Sequence, residues 1–425
     1  MVDRVVWAYW EGPMPPYIAL CVQTLRFWEH DVHLLDRATF DELFTTDRQL
    51  DIDALAVNHR SDFVRAYLLL RYGGLYVDAD CIALRPFDPL FEAAEACGFA
   101  GYREPDGYMS CNLMASVAGG TVISDHYRRV RQAVASGQPL AWLDLASVPM
   151  DQAVAAHPGS SRLWPQELIM PVSWRDSEQL CRRGDEEEHL ATLQPDTLCA
   201  MLSNNTIKSG RFSRILSYLP EEVLLRDRSF VSSLFRLALR LPPPPTYDVP
   251  PHLGGHEDIT QLDEGTFDYL VARYRARSML DVGCGTAGMV YYAKAKGMHA
   301  VGIDGDPTVA RDFPDILEHD YATGPLDAGK FDLGWAVEFV EHIEERFLPN
   351  YMITFRGCKR VFITAAVPGQ PGHHHVNCQP SDYWIARFRE AGFELDQGVT
   401  EQARLHSTMW SRFTEQTGLV FQRVE

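Results

Sequence analysis

Apolar and polar positions divide this chain into two runs of alternating strand and helix. Residues 4–8 read as a first buried strand, 16–28 as a helix opened by Pro15-Pro16, and 32–35 as a second strand. From Asn58 to Asp88 the pattern is helix, stop and strand. Phe63, Val64, Tyr67, Leu68 and Leu70 give a broad apolar face, and Ser61 stands where an N-cap would. Gly73-Gly74 ends the helix, because glycine takes left-handed geometry cheaply, and Leu75-Tyr76-Val77 follows as a short buried strand. Residues 98–102 and 111–115 extend the sheet, and 125–134 form a helix. The alternation predicts α/β with a mostly parallel sheet. After four prolines at 242–245 the pattern starts again. Strands are expected at 278–282, 299–303, 318–320, from Phe331, and at 361–365, 393–395 and 418–423. The expected division is a first domain over 1–225, an amphipathic helix and Pro-rich spacer over 226–252, and a second domain over 253–425.

The 425 residues suffice for two full cores, and the apolar and charged contents, 46% and 23%, are ordinary for a soluble globular protein. A formal charge of -19 argues against nucleic acid as a partner, which would require a basic face. Nine scattered cysteines read as reduced thiols, and with no signal-peptide layout at the N-terminus the expected location is cytoplasmic. No apolar run reaches the roughly 20 residues of a membrane span. Residues 228–241 form a basic amphipathic helix with two readings. It suits peripheral contact with a membrane surface or packing between domains, and the second is favoured.

The candidate chemistry of the first half lies at Asp78-Ala79-Asp80. Two carboxylates at i and i+2 on extended backbone point the same way and repel unless a cation lies between them. Hard oxygen donors suit Mg2+ or Mn2+ shared with a substrate's phosphates. Asp62 and Arg65 lie one turn apart on a single helix face. Ser-Asp-x-x-Arg, Tyr-Gly-Gly-x-Tyr and Asp-x-Asp at this spacing, with Val5-Val6-Trp7-Ala8-Tyr9-Trp10-Glu11-Gly12 upstream, resemble the sugar-nucleotide-dependent glycosyltransferases with a DXD motif. These are family 32 and its capsular-polysaccharide and clostridial-toxin relatives. The resemblance implies a GT-A fold, a nucleotide-sugar donor and transfer with retention. It places Trp7 on the base, Asp62 and Arg65 on the nucleoside and sugar with Tyr76 in the donor set, and a metal on Asp78 and Asp80. That family often ends in a His-x-Trp segment that completes the metal shell. Here Met201-Leu202-Ser203-Asn204-Asn205 stands in its place, leaving Ser203, Asn204 and Asn205 as alternatives for a third ligand.

In the second half, Ser278–Val282 runs into Gly283-Cys284-Gly285-Thr286-Ala287-Gly288, and a second strand ends in Asp304. Glycines there allow close backbone approach to a ligand, and a carboxylate about 20 residues on can accept from both ribose hydroxyls. The glycine pattern alone suits a dinucleotide equally well. With Asp281 before the first glycine and Phe331-Asp332 to Glu341-His342 downstream, residues 253–425 resemble class I S-adenosylmethionine-dependent methyltransferases, with a Rossmann-like fold. The resemblance assigns Asp281, Gly283 and Gly285 to the methionine moiety and loop, Asp304 to the ribose, and Asp320 to the adenine side.

Methylation of a hydroxyl needs alignment and a group to take the proton. Glu341 and His342 belong to a Glu-x-x-Glu-His pattern after the fourth strand. His373-His374-His375 follow the fifth, with His373 and His375 expected on one side of extended backbone and Asn377 continuing it. His375 is the favoured base, and His373, His342 and Glu341 complete the catalytic candidates. The reading is a bifunctional enzyme that transfers a sugar and methylates a glycan or glycosylated small molecule. Its rivals are a glycosyltransferase with a non-catalytic S-adenosylmethionine-binding module, and a methyltransferase with a carbohydrate-binding N-terminal module.

Overall fold

The computed structural model describes residues 4–255 and 260–424. Met1–Asp3 at the start of the expected first domain, and residues 256–259 and Glu425 in the second, lie outside the described residues. The chain forms two compact units. The first comprises Met1–Gln179, Asp185–Ile207 and Phe230–Pro242, and the second Leu180–Gly184, Lys208–Ser229 and Pro243–Glu425. Phe230–Pro242, inside the stretch read as a linker, therefore belongs to the first unit.

Eight strands occur in the first unit: β1 (Val5–Tyr9), β2 (Asp31–Leu35), β3 (Gly74–Val77), β4 (Cys81–Ala83), β5 (Phe99–Arg103), β6 (Met109–Ser116), β7 (Arg162–Trp164) and β8 (Cys199–Met201). The main sheet runs β2-β1-β3-β6-β5-β7, and β4 pairs separately with β8. β1 is parallel to β2 and β3, but β6 enters antiparallel between β3 and β5, so the sheet is mixed rather than mostly parallel. The helix Val57–Tyr72 covers one face, where Phe63 and Tyr67 meet Phe44 edge to face. Val6, Leu75, Val77 and Leu113 fill the other face.

The helix Phe230–Leu239 buries Phe230, Val231, Leu234 and Phe235 within this unit, against Pro16–Phe27, Glu186–Ala191 and β4. Its Arg236, 1% exposed, donates Nε to Glu186 Oε2 at 2.6 Å. The apolar face that a membrane surface would need is thus taken up by protein, which corrects the membrane reading of 228–241. No helix among the described residues is long and apolar enough to cross a membrane.

The second unit holds β9 (Ser278–Val282), β10 (His299–Asp304), β11 (Ile316–Glu318), β12 (Phe331–Ala336), β13 (Cys358–Ile363), β14 (Phe393–Leu395) and β15 (Leu419–Arg423). They order as β11-β10-β9-β12-β13-β15-β14, parallel except for the pairings that β15 makes. The chain reverses its direction of travel across the sheet between β9 and β12, which is where open α/β sheets place ligands. The third strand stops at Glu318, short of the expected 320. Asp320 Oδ1 accepts from Ala322 N at 2.8 Å, and this side-chain turn ends the ladder early.

Candidate active sites

In the first unit the helix begins at Val57 with Ala56 as N-cap, so Ser61 lies inside it and caps nothing. Its hydroxyl instead meets Tyr76 OH at 3.1 Å and accepts from Arg65 at 3.3 Å. Arg65 Nη2 also lies 3.1 Å from Asp78 Oδ1 and 3.3 Å from Asp62 Oδ1, with its guanidinium 5.1 Å from the Tyr76 ring centre. Asp62, Arg65 and Tyr76 are all buried. Burial pushes the Asp78 carboxyl up to about 7; Arg65 pulls against it, and the neighbouring Asp80 and Asp62 add to it. Burial also raises Asp62.

Asp78 follows β3, and Ala79-Asp80 form a turn into β4, so the pair does not sit on extended backbone. Pairing of β4 with β8 carries the chain after Met201 back to this turn. Leu202 N donates to Asp80 O at 3.0 Å and Asn204 N to Asp80 Oδ2 at 2.6 Å, while Tyr17 OH donates to Asn204 Oδ1. The 203–205 segment therefore does reach the carboxylates. The donors present fit a divalent cation. They are hard oxygens beside one another, one of them held by burial and like charge in a state that a cation would relieve.

Trp7 is not part of this group. Its indole Nε1 donates to Gly73 O at 2.9 Å and its ring packs between His33 and Tyr72. Gly73 and Asp78 lie at opposite ends of β3, roughly 16 Å apart along an extended chain. Trp10 is the tryptophan at the carboxyl end of β1, half-buried, beside the Glu11–Arg60 ion pair at 2.7 Å. Counting to the strand's end, rather than taking the first tryptophan of Trp-Ala-Tyr-Trp, selects Trp10.

In the second unit a cavity of about 260 Å3 opens at the carboxyl ends of β9, β10 and β12. Asp281, Gly283, Gly285, Asp304, Asp320, His342, His373 and His375 all line it. Gly283 has φ +74°, and a Cβ there would lie 2.3 Å from the Phe339 ring. Asp304 accepts from Gly285 N and Asp306 N, each at 2.8 Å, which fixes its carboxylate against the glycine loop. Burial, then the charge of Asp304, pushes Asp281 well up. His252 was not foreseen. It lies 2.9 Å from Asp320 Oδ2, and the next residue's carbonyl accepts from His373 Nε2 at 3.0 Å. Both bonds are remote in sequence and leave no local signal.

The histidine loop is a turn. His374 has φ +45°, so His373 and His375 do not share one side of an extended strand. The N–H groups of Val376 and Asn377 donate to Glu341 O at 3.0 and 2.9 Å, tying the loop to the turn after β12 and burying Asn377. His342 Nδ1 donates to His373 O at 2.8 Å and His375 Nδ1 to Gln370 O at 3.0 Å, with the two rings 4.9 Å apart. A carbonyl can only accept, so each ring carries its proton on Nδ1. Burial, then His375, brings the His342 pKa down to about 4. Glu341 is fully buried and accepts from Ala366 N through Oε1 at 3.0 Å; burial, then Glu338, raises it well above the usual range. Glu338, also unforeseen as a site residue, lines the cavity at φ +52° and accepts from Thr364 Oγ1 at 2.8 Å.

Residues 23–96 match the family model described as a glycosyltransferase sugar-binding region containing a DXD motif, and residues 280–365 match a methyltransferase domain. The chain carries both domains and is an enzyme of both kinds. No curated protein matches it. Among solved structures it is similar to a TehB-like S-adenosylmethionine-dependent methyltransferase from Corynebacterium glutamicum, with 20% identity, a TM-score of 0.30, and 38% of this chain and 88% of that one covered. The sugar N-methyltransferase KedS8 from Streptoalloteichus gives 14%, 0.30, 38% and 88%. The PaToxG glycosyltransferase gives 15%, 0.26, 36% and 69%.

Proposed function

We propose that this chain, with a DXD sugar-binding region and a methyltransferase domain, transfers a sugar from a nucleotide-sugar donor and methylates a hydroxyl of a glycan or glycosylated small molecule. One observation carries the reading. Each unit has its own set of the side chains its chemistry needs: Asp78 and Asp80 beside Arg65 in one, and Asp304 with the glycine loop and the Glu341–His342–His375 group in the other.

On the sugar side, Asp78 and Asp80 would hold Mn2+ or Mg2+, and Asn204, whose backbone N–H already donates to Asp80 Oδ2, is the candidate to support it. The ion supplies charge to stabilise the departing diphosphate. Arg65, fixed between Asp62 and Asp78, presents a second positive charge at the same edge, and the Trp10 indole offers a stacking surface for the base. The resemblance adds retention at the anomeric carbon.

On the methyl side, Asp304 would accept from the ribose of S-adenosylmethionine and the glycine turn would admit its methionine end. S-adenosylmethionine, when bound there, would supply the methyl group to the acceptor oxygen and leave as S-adenosylhomocysteine. The hydroxyl proton would pass to the Glu341–His342–His375 group, with His375, on the loop, the favoured acceptor. His373 is committed to the Leu253 carbonyl and serves position rather than proton transfer. The expected location is the cytoplasm.

The test is release of sugar from a panel of nucleotide sugars with Mn2+, alongside methyl transfer from S-adenosylmethionine to a glycan panel. Both activities are expected, and His375→Ala should lower methyl transfer by about 10²-fold. Donor hydrolysis alone would leave the second unit a binding module. Methyl transfer alone would make the first unit a carbohydrate-binding one.

A further inference from the structure

Glu341, His342 and His375 come from two separate loops, yet their ligand-capable atoms all lie within 4.8 Å of one another. Each histidine gives its Nδ1 hydrogen to a backbone carbonyl, which leaves each Nε2 as a bare lone pair. Outward bonds of that kind hold metal-ligating imidazoles in place. A side chain at Gly372 would come within 2.2 Å of His375 Nε2, so glycine keeps that lone pair uncovered. Glu341 is 0% exposed; its Oε1 accepts from Ala366 N, and its buried Oε2 has no N–H donor, the carboxyl meeting instead the carboxyl of Glu338, a second acidic group. Three acceptors thus converge without a donor among them. No lysine or arginine appears among the recorded partners of these groups in the described residues. A buried acceptor left unmatched is costly, and a cation is what would match all three.

We infer that Glu341 through Oε2 and His342 and His375 through Nε2 form a site for a divalent transition-metal ion. Two imidazoles and a carboxylate select ions of the Zn2+, Fe2+ and Mn2+ class over Ca2+ or Mg2+. Three protein ligands leave coordination positions for another group. His342 and His375 both border the cavity, so that group is an oxygen of the methyl acceptor. The inference goes beyond methyl transfer as such and replaces the imidazole as proton acceptor when the ion is bound: the two Nε2 atoms are then ligands, and an acceptor hydroxyl on the ion, made more acidic by it, loses its proton to water. The site differs from the Asp78–Asp80 pair, which offers oxygen alone.

The experiment uses the full chain carrying Asp80→Asn, which weakens metal binding on the sugar side, stripped with EDTA and titrated with Co2+ and then Zn2+. Binding of one ion per chain is expected, with the visible absorption of imidazole-bound Co2+ displaced by Zn2+. His375→Ala and His342→Ala should each lower Zn2+ affinity on the order of 10²-fold or more and remove the absorption. Retained binding of S-adenosylhomocysteine shows that the domain survives the change. His375→Asp, which restores a ligand, should recover most of the affinity. A stripped chain that takes up no Zn2+ at micromolar concentration would mean that a proton on Glu341 holds the cluster, and would overturn the site. Equal affinity with and without both histidines would also overturn it. The readout is metal rather than turnover, so a chain that binds the ion but methylates nothing refutes the methyl-transfer reading and leaves this one standing.

Discussion

The two units gather acidic side chains in opposite ways. In the first, a buried Asp62 and a half-buried Asp78 flank a guanidinium already in place, with Arg65 within 3.3 Å of one and 3.1 Å of the other. In the second, Glu341 is buried beside Glu338 and the imidazoles of His342 and His375, and accepts from the Ala366 backbone N–H. Buried carboxylates need compensation, whether by a fixed positive charge, a bound ion or a proton. The sugar side is therefore partly charged for its task before any ligand arrives, and its paired carboxylates have a neighbouring cation to limit repulsion. The methyl side is assembled from acceptors and depends on what binds there.

The difference can be broken, and the largest effect is expected at the sugar-side carboxylates. EDTA or Asp80→Ala should lower donor hydrolysis on the order of 10³-fold or more, since several kcal/mol of charge stabilisation would go. Mn2+ should restore the EDTA-treated protein but not the variant, and full activity in a metal-free preparation would contradict the assignment. Next in size, Arg65→Met leaves the buried Asp62 and the half-buried Asp78 without their cation and should cost the first unit about 3 kcal/mol in denaturant unfolding. The matching change on the methyl side, Glu341→Gln, puts a neutral amide in place of a carboxyl whose ionisation burial and Glu338 already disfavour. In metal-free protein it should alter stability by no more than about 1 kcal/mol. Similar losses for both would erase the contrast. Asp304→Ala should weaken S-adenosylhomocysteine binding by about 1–3 kcal/mol in calorimetry, with donor hydrolysis intact.

A further effect concerns pH. His126 is fully buried in the first unit, and burial, helped by the charge of Arg65, lowers its pKa from 6.5 to about 3. The unfolded chain takes up a proton below 6.5 that the folded chain refuses. Stability is thus fully present above pH 6.5 and falls, by about 1.4 kcal/mol per pH unit, as pH drops toward 3. His126→Phe should flatten that slope in melts between pH 7 and 5; an unchanged slope would assign it to other groups.

Local patterns in the chain foretold what is locally determined. The Gly73-Gly74 stop and the strand to Val77 appear where the pattern put them, because helix termination and strand onset depend on a few adjacent residues. Asp304 likewise falls at the very end of β10, where the glycine loop meets it. What failed depends on register or distant partners. Trp7 and Trp10 differ only in which residue passes the end of β1, and a pattern of apolar residues does not locate that end. Ser61 was read as a cap because its type suits one, yet the helix starts a turn earlier and Tyr76 claims its hydroxyl. The histidines were placed on extended backbone. The Glu341 carbonyl, more than 30 residues back, draws the loop in and His374 turns it. For the helix at 230–239 the pattern favours packing between domains, with a membrane surface as the alternative, and only the fold reveals that helices of the first unit cover its apolar face.

The central claim is that one chain carries two chemically separate active sites. The most direct measurement follows both reactions, sugar release with Mn2+ and methyl transfer from S-adenosylmethionine, in the unaltered protein, Asp80→Ala and Asp304→Ala. The account predicts a crossed pattern: Asp80→Ala loses sugar release and keeps methyl transfer, and Asp304→Ala, at limiting S-adenosylmethionine, does the reverse. A variant that loses both reactions while still folded, or an unaltered protein that shows only one of them, would contradict it.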